Sequence, residues 1–177
     1  MTPMRLPRLR RLLGDGPEED RVPELDDGSW AYLSLGERDD ARPGGLRHRV
    51  VEACREGGWP AVTWSQPTAK ADDPDGERFR LGIDHAVGQA DVVVALLGSV
   101  SEVTDAELEA AFRHRRPVVG LRLAGSAAGG SEVEARLSGY GRGRLVDCAD
   151  LDDCGAALRE ALADEGFAQT IREATAS

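Results

Sequence analysis

The side chains that could do chemistry in this sequence gather around one short stretch. Glu107 stands in Thr104-Asp105-Ala106-Glu107, just after a polar loop holding Gly98, Ser99 and Ser101. A serine loop that opens a helix offers free backbone amides and the positive end of the helix dipole, so it can cradle an anion without a lysine. A carboxylate one turn inside that helix would lie beside the cradle. The same spacing also fits a capping box, with Thr104 as N-cap and Glu107 at the third helical position bonded back to the Thr104 amide. Asp84 is a second carboxylate, late on the preceding segment, and reads either as a partner in chemistry or as a solvated helix-face charge. Asp105 and Glu109 are expected to face solvent, and Asp91 to serve a turn or cap. Metal binding has little support: His48, His85 and His114 are far apart, and Cys54, Cys148 and Cys154 show no CxxC spacing. No metal and no cofactor are expected.

Positioning these residues requires alternating elements. Residues 30–35 (WAYLSL), 61–65 (AVTWS), 91–97 (DVVVALL), 117–123 (PVVGLRL) and 144–147 (RLVD) read as strands. The third is continuously apolar, as a strand covered on both faces should be. Residues 46–55 place Leu46, Val50, Val51 and Cys54 on one helical face. Residues 77–89 do the same with Phe79, Ile83 and Val87, and residues 151–164 with Leu151, Cys154, Leu158 and Leu162. A further helix is expected over 104–114, and a Gly/Ala/Ser loop over 124–130. Strands alternating with helices predict an α/β fold: a three-layer, open, parallel five-stranded sheet of Rossmann or flavodoxin-like type, with helices on both faces. In such sheets ligands bind outside the carboxyl ends of the strands. That rule selects the loops after the first three strands.

The chain has 177 residues, 41% hydrophobic and 31% charged, with a formal net charge of −10. It is long enough for one domain with a real core. Its acidity disfavours a nucleic-acid polymer as partner, because phosphate backbones are bound by positive surfaces. No run of 18 apolar residues exists, so neither a membrane span nor a membrane partner is expected. The N-terminal arginines Arg5, Arg8, Arg10 and Arg11 are not followed by the apolar stretch of a secretory signal. An odd set of three cysteines reads as free buried thiols in a reducing cytoplasm. Residues 1–28 read as a flexible N-terminal tail, 29–166 as the α/β domain and 167–177 as a C-terminal tail.

Three segments carry a family likeness: Tyr32-Leu33-Ser34-Leu35-Gly36; the run from Asp84 through Ala90-Asp91-Val92-Val93-Val94-Ala95; and Thr104-Asp105-Ala106-Glu107-Leu108 followed by Arg116-Pro117-Val118-Val119. Over residues 30–165 the chain resembles the nucleoside 2-deoxyribosyltransferase superfamily, including its branch of nucleoside 5′-monophosphate N-glycosidases. The resemblance implies cleavage of the base–ribosyl bond of a nucleotide or nucleoside. It implies Glu107 as nucleophile or electrostatic stabiliser at the anomeric carbon, and Asp84 as the acid or sugar-orienting group. It implies that Tyr32, Ser34 and Gly36 lie near the sugar or phosphate. It also implies that Ser99, Ser101 and Thr104 hold a 5′-phosphate, that Trp64 stacks on the base, and that the protein is a homodimer. The family's helix aspartate stands eight residues before the strand-opening aspartate. Here that position is Ile83, and Asp84 follows it, about 100° further around a helix. The transferase branch borrows a polar residue, often asparagine, from a neighbouring subunit. This chain has no asparagine, which favours hydrolysis over deoxyribosyl transfer.

A looser resemblance is to TIR domains, some of which cleave the nicotinamide–ribose bond of NAD. The acidic loop Glu37, Arg38, Asp39 and Asp40 after the first strand carries it. The third alternative is a catalytically silent module of the same fold that binds a nucleotide or a protein. The flanking Val103 and Glu109, which stand where the family often has glycines, favour that alternative.

Overall fold

A computed structural model describes residues 30–35, 45–63, 77–97, 102–124 and 132–176. Within them the chain is α/β with a parallel sheet, as the alternation of elements requires. The strands are β1 (Ala31–Ser34), β2 (Ala61–Thr63), β3 (Val92–Leu97), β4 (Val118–Leu123) and β5 (Gly143–Cys148). The helices are α1 (Leu46–Glu56), α2 (Glu77–Gln89), α3 (Glu102–Arg113), α4 (Glu132–Ser138), α5 (Leu151–Ala163) and α6 (Glu165–Thr175). Strand order across the sheet is β2-β1-β3-β4-β5. β1 pairs in parallel with both β2 and β3, with Tyr32 opposite Val93 and Ser34 opposite Ala95. The chain therefore leaves β1 toward one side of the sheet and returns to its other side at β3. A reversal of this kind, at the carboxyl ends of β1 and β3, is the place where doubly wound sheets bind ligands.

Two cores form because strand side chains alternate between faces. On one face Ala31, Leu33, Val92, Val94 and Leu121 pack against α1, α5 and α6 through Leu46, Val50, Leu158 and Ile171. On the other, Tyr32, Val93, Ala95 and Leu97 pack against α2, α3 and α4 through Ile83, Val87, Leu108 and Leu137. Close packing on this second face needs Gly120 in β4. A Cβ there would come within 2.5 Å of a Leu137 methyl and 2.8 Å of a Leu97 methyl. The three thiols, Cys54, Cys148 and Cys154, are free and buried, all in the first core. Burial pushes the Cys54 thiol up to about 12, which leaves it an inert apolar group at neutral pH.

Two expectations are corrected, and one helix is added. The described part of the expected C-terminal tail, residues 167–176, is mostly helix. Asp164 accepts the Phe167 N–H at 2.9 Å and starts α6, whose Phe167, Ile171 and Ala174 are buried. Helix α4 occupies residues for which the sequence offered no periodic signal; it has only 7 residues, too few for the period to declare itself. Helix α3 begins at Glu102, two residues before Thr104, so Thr104 is not its N-cap and the capping-box geometry does not apply. The expected N-terminal tail 1–28 and the loop 124–130, apart from Ala124, lie outside the described residues. No helix among the described residues is long and apolar enough to cross a membrane.

Candidate functional site

The site is built from β1 and α3. Tyr32 and Ser34 are two residues apart on one strand, so both point to the face that α3 covers. Thr104, Glu107, Leu108 and Ala111 are spaced by three and four residues, and all four are buried on the side of α3 turned to that face. Glu107 thus meets the carboxyl end of β1. The Tyr32 hydroxyl donates to Glu107 Oε1 at 2.7 Å. The Ser34 hydroxyl donates to Glu107 Oε2 in a short contact. Tyr32 and Ser34 are fully buried, and Glu107 is 3% exposed.

A buried carboxylate is costly unless its oxygens are hydrogen-bonded. Here each oxygen receives a hydroxyl, and hydrogen bonds to a charged acceptor are the strong ones. The two donors fix the orientation as well as the position of the carboxylate, because one strand presents them with the spacing of its pleat. Burial first, and then the negative charge of Glu107 and the bond to it, push the Tyr32 phenol well above its usual ionisation range. Tyr32 therefore stays protonated and remains a donor at neutral pH.

Asp84 is not brought to Glu107. Its Oδ1 takes an N–H of Arg113 at 2.5 Å, and its Oδ2 pairs with His114 Nε2 at 3.1 Å. Those partners are six and seven residues beyond Glu107, so they lie about 9–10 Å further along the α3 axis at 1.5 Å per residue. The register explains the placement. Ile83, one residue earlier, is the position that faces the core, and it is buried. Asp84 is turned by one helical step toward the seam between α2 and α3.

The other expected site residues divide in two. Thr104 is buried one turn before Glu107 on the same helical face. Gly36, Trp64, Ser99 and Ser101 lie outside the described residues. Asp105 and Glu109 are exposed, and Arg136 binds the Glu109 carboxylate. The bond from Ser34 to Glu107 is one that sequence reasoning missed. The signal was available: two hydroxyls at i and i+2 on a strand otherwise filled with Ala31 and Leu33 must be satisfied from the covering helix. Asp91 does more than serve a turn or cap. It is 1% exposed and accepts the Trp30 N–H at 2.8 Å and the Thr175 hydroxyl at 2.8 Å. It ties the starts of β1 and β3 to the end of α6.

Among the described residues, no group of three or more histidine, cysteine or acidic side chains is placed to hold a metal ion. No family model matches the sequence, and no curated protein matches it. The arrangement itself is what bears on chemistry: a desolvated carboxylate, oriented by two hydroxyls, at the switch point of a parallel sheet.

Proposed function

We propose that the protein is an N-glycosidase that cleaves the base–ribosyl bond of a nucleoside 5′-monophosphate or nucleoside. One observation carries this reading: Glu107 is held through both oxygens by Tyr32 and Ser34 at the carboxyl edge of β1. Cleavage at an anomeric carbon passes through a transition state of oxocarbenium character, and a carboxylate fixed beside C1′ stabilises it. Glu107 attacks C1′ with one oxygen, the C1′–N bond breaks, and its electron pair leaves on the base, which takes up a proton. Water then opens the glycosyl ester, returning the Glu107 carboxylate and releasing the sugar. The Tyr32 and Ser34 hydroxyls pre-orient the attacking group, so little reorganisation is needed at the moment of reaction. Asp84 is engaged by Arg113 and His114, so protonation of the leaving base is assigned to a group other than Asp84. Within this proposal Ser99, Ser101 and Thr104 are assigned to the 5′-phosphate, Gly36 to the sugar and Trp64 to the base. A homodimer in the cytoplasm completes the proposal, and light scattering reads the first part directly.

The test is a panel of nucleosides, their 5′-monophosphates and NAD, with free base read by chromatography and Glu107→Gln run in parallel. Release that disappears in the variant supports the proposal. Release of nicotinamide from NAD alone would move the assignment to the TIR-like reading. A second reading, a silent binding module of the same fold, has its own support: the Asp84 ion pairs, and the deep burial of Glu107. No release from any substrate by folded wild-type protein would favour it.

A further inference from the structure

The edge of the sheet opposite Glu107 carries a concentration of positive charge in a chain whose net charge is −10. Arg113, His114, Arg115 and Arg116 follow one another from the end of α3 into β4, and Arg142 precedes β5. Asp84 meets Arg113 and His114. Two other arginines of the group cap backbone: Arg142 donates to the Arg115 carbonyl at 2.7 Å, and Arg116 to the Gly88 carbonyl at 2.6 Å. The Tyr140 hydroxyl donates to the Arg116 carbonyl at 3.0 Å. Burial raises that phenol, while the charges of Arg142, Arg115 and Arg116 around it pull it back down. Arg142 and Arg115 thus stand side by side at this edge, joined by the Arg142 bond to the Arg115 carbonyl, with Arg116 next to them in sequence.

The backbone there is also unusual. Arg116 N–H bonds the Ala111 carbonyl at 2.8 Å and Arg115 N–H the Phe112 carbonyl at 3.1 Å. This is the paired closure of a helix end that places its next residue in the left-handed region, usually glycine. Here that residue is Arg115, with φ 53. An arginine holds a position where glycine would be relaxed, and its side chain is exposed. Capping alone does not call for that side chain, since its guanidinium is not needed for the helix end.

We propose that this arginine surface docks the acidic segment of the same chain, residues 15–27. That segment contains Glu18, Glu19, Asp20, Glu24, Asp26 and Asp27 among seven carboxylates, against one arginine. It runs into Trp30, and Trp30 sits at the amino edge of β1, the same edge that carries the arginines. β4 is two strands from β1, a lateral step of about 9–10 Å at the usual strand spacing. Asp27 and Glu24 are three and six residues from Trp30, and an extended chain covers roughly 3.3–3.6 Å per residue. The carboxylates therefore reach the arginines without strain, and the basic surface and the acidic segment offset one another. This inference does not rest on the proposed activity.

The experiment uses the full chain with Arg115→Lys and Arg142→Lys, which keep both charges and supply amines. A zero-length carbodiimide then joins an amine to a carboxylate only where the two are in contact, and peptide mapping reads the linkage. The expected result is a link from position 115 or 142 to a carboxylate within residues 15–27, in protein of monomer mass. Its yield falls several-fold in 0.5 M salt, as screening requires, and falls again with Glu18→Gln, Glu19→Gln and Asp20→Asn together. Links only to other carboxylates, or none in a variant with wild-type circular dichroism, would overturn it. The same links appearing only at dimer mass would assign the surface to a second copy, and overturn the intramolecular form.

Discussion

Two buried carboxylates, one at each edge of the sheet, are served by nearly the same means and stand in different relations to the fold. Asp91 is 1% exposed and Glu107 3%. Each accepts two hydrogen bonds from other elements. The donors to Asp91 are the Trp30 N–H at the entry of β1 and the Thr175 hydroxyl at the end of α6. They join parts of the chain 61 and 84 residues away from it, so breaking them loosens the fold. The donors to Glu107 are two hydroxyls of a single strand, and that strand is already held by pairing with β2 and β3. The bonds to Glu107 join α3 to a strand that the sheet already holds. The neighbours of Glu107 instead fix where its charge points, at the edge where ligands enter doubly wound sheets. A carboxylate that holds the fold and a carboxylate that the fold holds are distinguishable by mutation.

The largest expected contrast is in activity. Glu107→Gln should lower base release by at least roughly 10³-fold, the scale for removing a preorganised group from the transition state. It should leave the protein folded, since the glutamine oxygen accepts one hydroxyl and its amide N–H donates to the oxygen of the other. Asp91→Asn should keep kcat/KM close to wild type when assayed well below its unfolding temperature. Equal losses in both variants would erase the distinction between the edges.

Next comes stability. Asp91→Ala strands the buried Trp30 N–H, while the part-buried Thr175 hydroxyl keeps the Ile171 carbonyl at 3.0 Å, and about 1–3 kcal/mol should disappear from the unfolding free energy. At roughly 2–4 °C per kcal/mol for a chain of this size, a thermal melt will resolve it. Tyr32→Phe should follow, with kcat down about tenfold for the lost orienting hydroxyl and KM nearly unchanged. A rise in KM with unchanged kcat would place Tyr32 on the substrate rather than on Glu107.

A smaller effect separates the same residue by pH. The Tyr32 phenol is raised in the folded chain, relative to about 10 when unfolded. The folded state therefore holds its proton more tightly. That contribution is complete below pH 10 and is lost as pH climbs above it through the folded value. Denaturant melts from pH 9 to 11 should show a steeper fall for wild type than for Tyr32→Phe. Asp84→Asn should do least: about 1 kcal/mol or less of stability, since its partners are partly solvated, and activity within twofold. A large loss of activity with Asp84→Asn would return that residue to the chemistry.

How much of this was legible before any coordinates follows from which residues speak locally. The apolar run of β3 and the periodicity of α1, α2 and α5 state their burial in the sequence, so the parallel α/β class was readable. Helix α6 was readable too, had Asp164 been taken as a cap for Phe167, Ile171 and Ala174. The partners of Glu107 were not. Tyr32 and Ser34 lie 75 and 73 residues away, and only the strand order brings them under α3. Thr104 and Glu107 match a local motif well enough to suggest capping, and the earlier start of α3 at Glu102 cancels it. Asp84 shows the limit of carrying a motif across by position. One residue of helical register turned it from the buried face of α2, held by Ile83, to a seam with Arg113 and His114.

The most direct measurement is base release by wild type and Glu107→Gln from the 5′-monophosphate panel, with folding of both checked by melting in the same buffer. The account predicts free base from the wild type and a loss of at least roughly 10³-fold in a variant that melts cooperatively. Undiminished release by the folded variant would remove Glu107 from the chemistry and contradict the account.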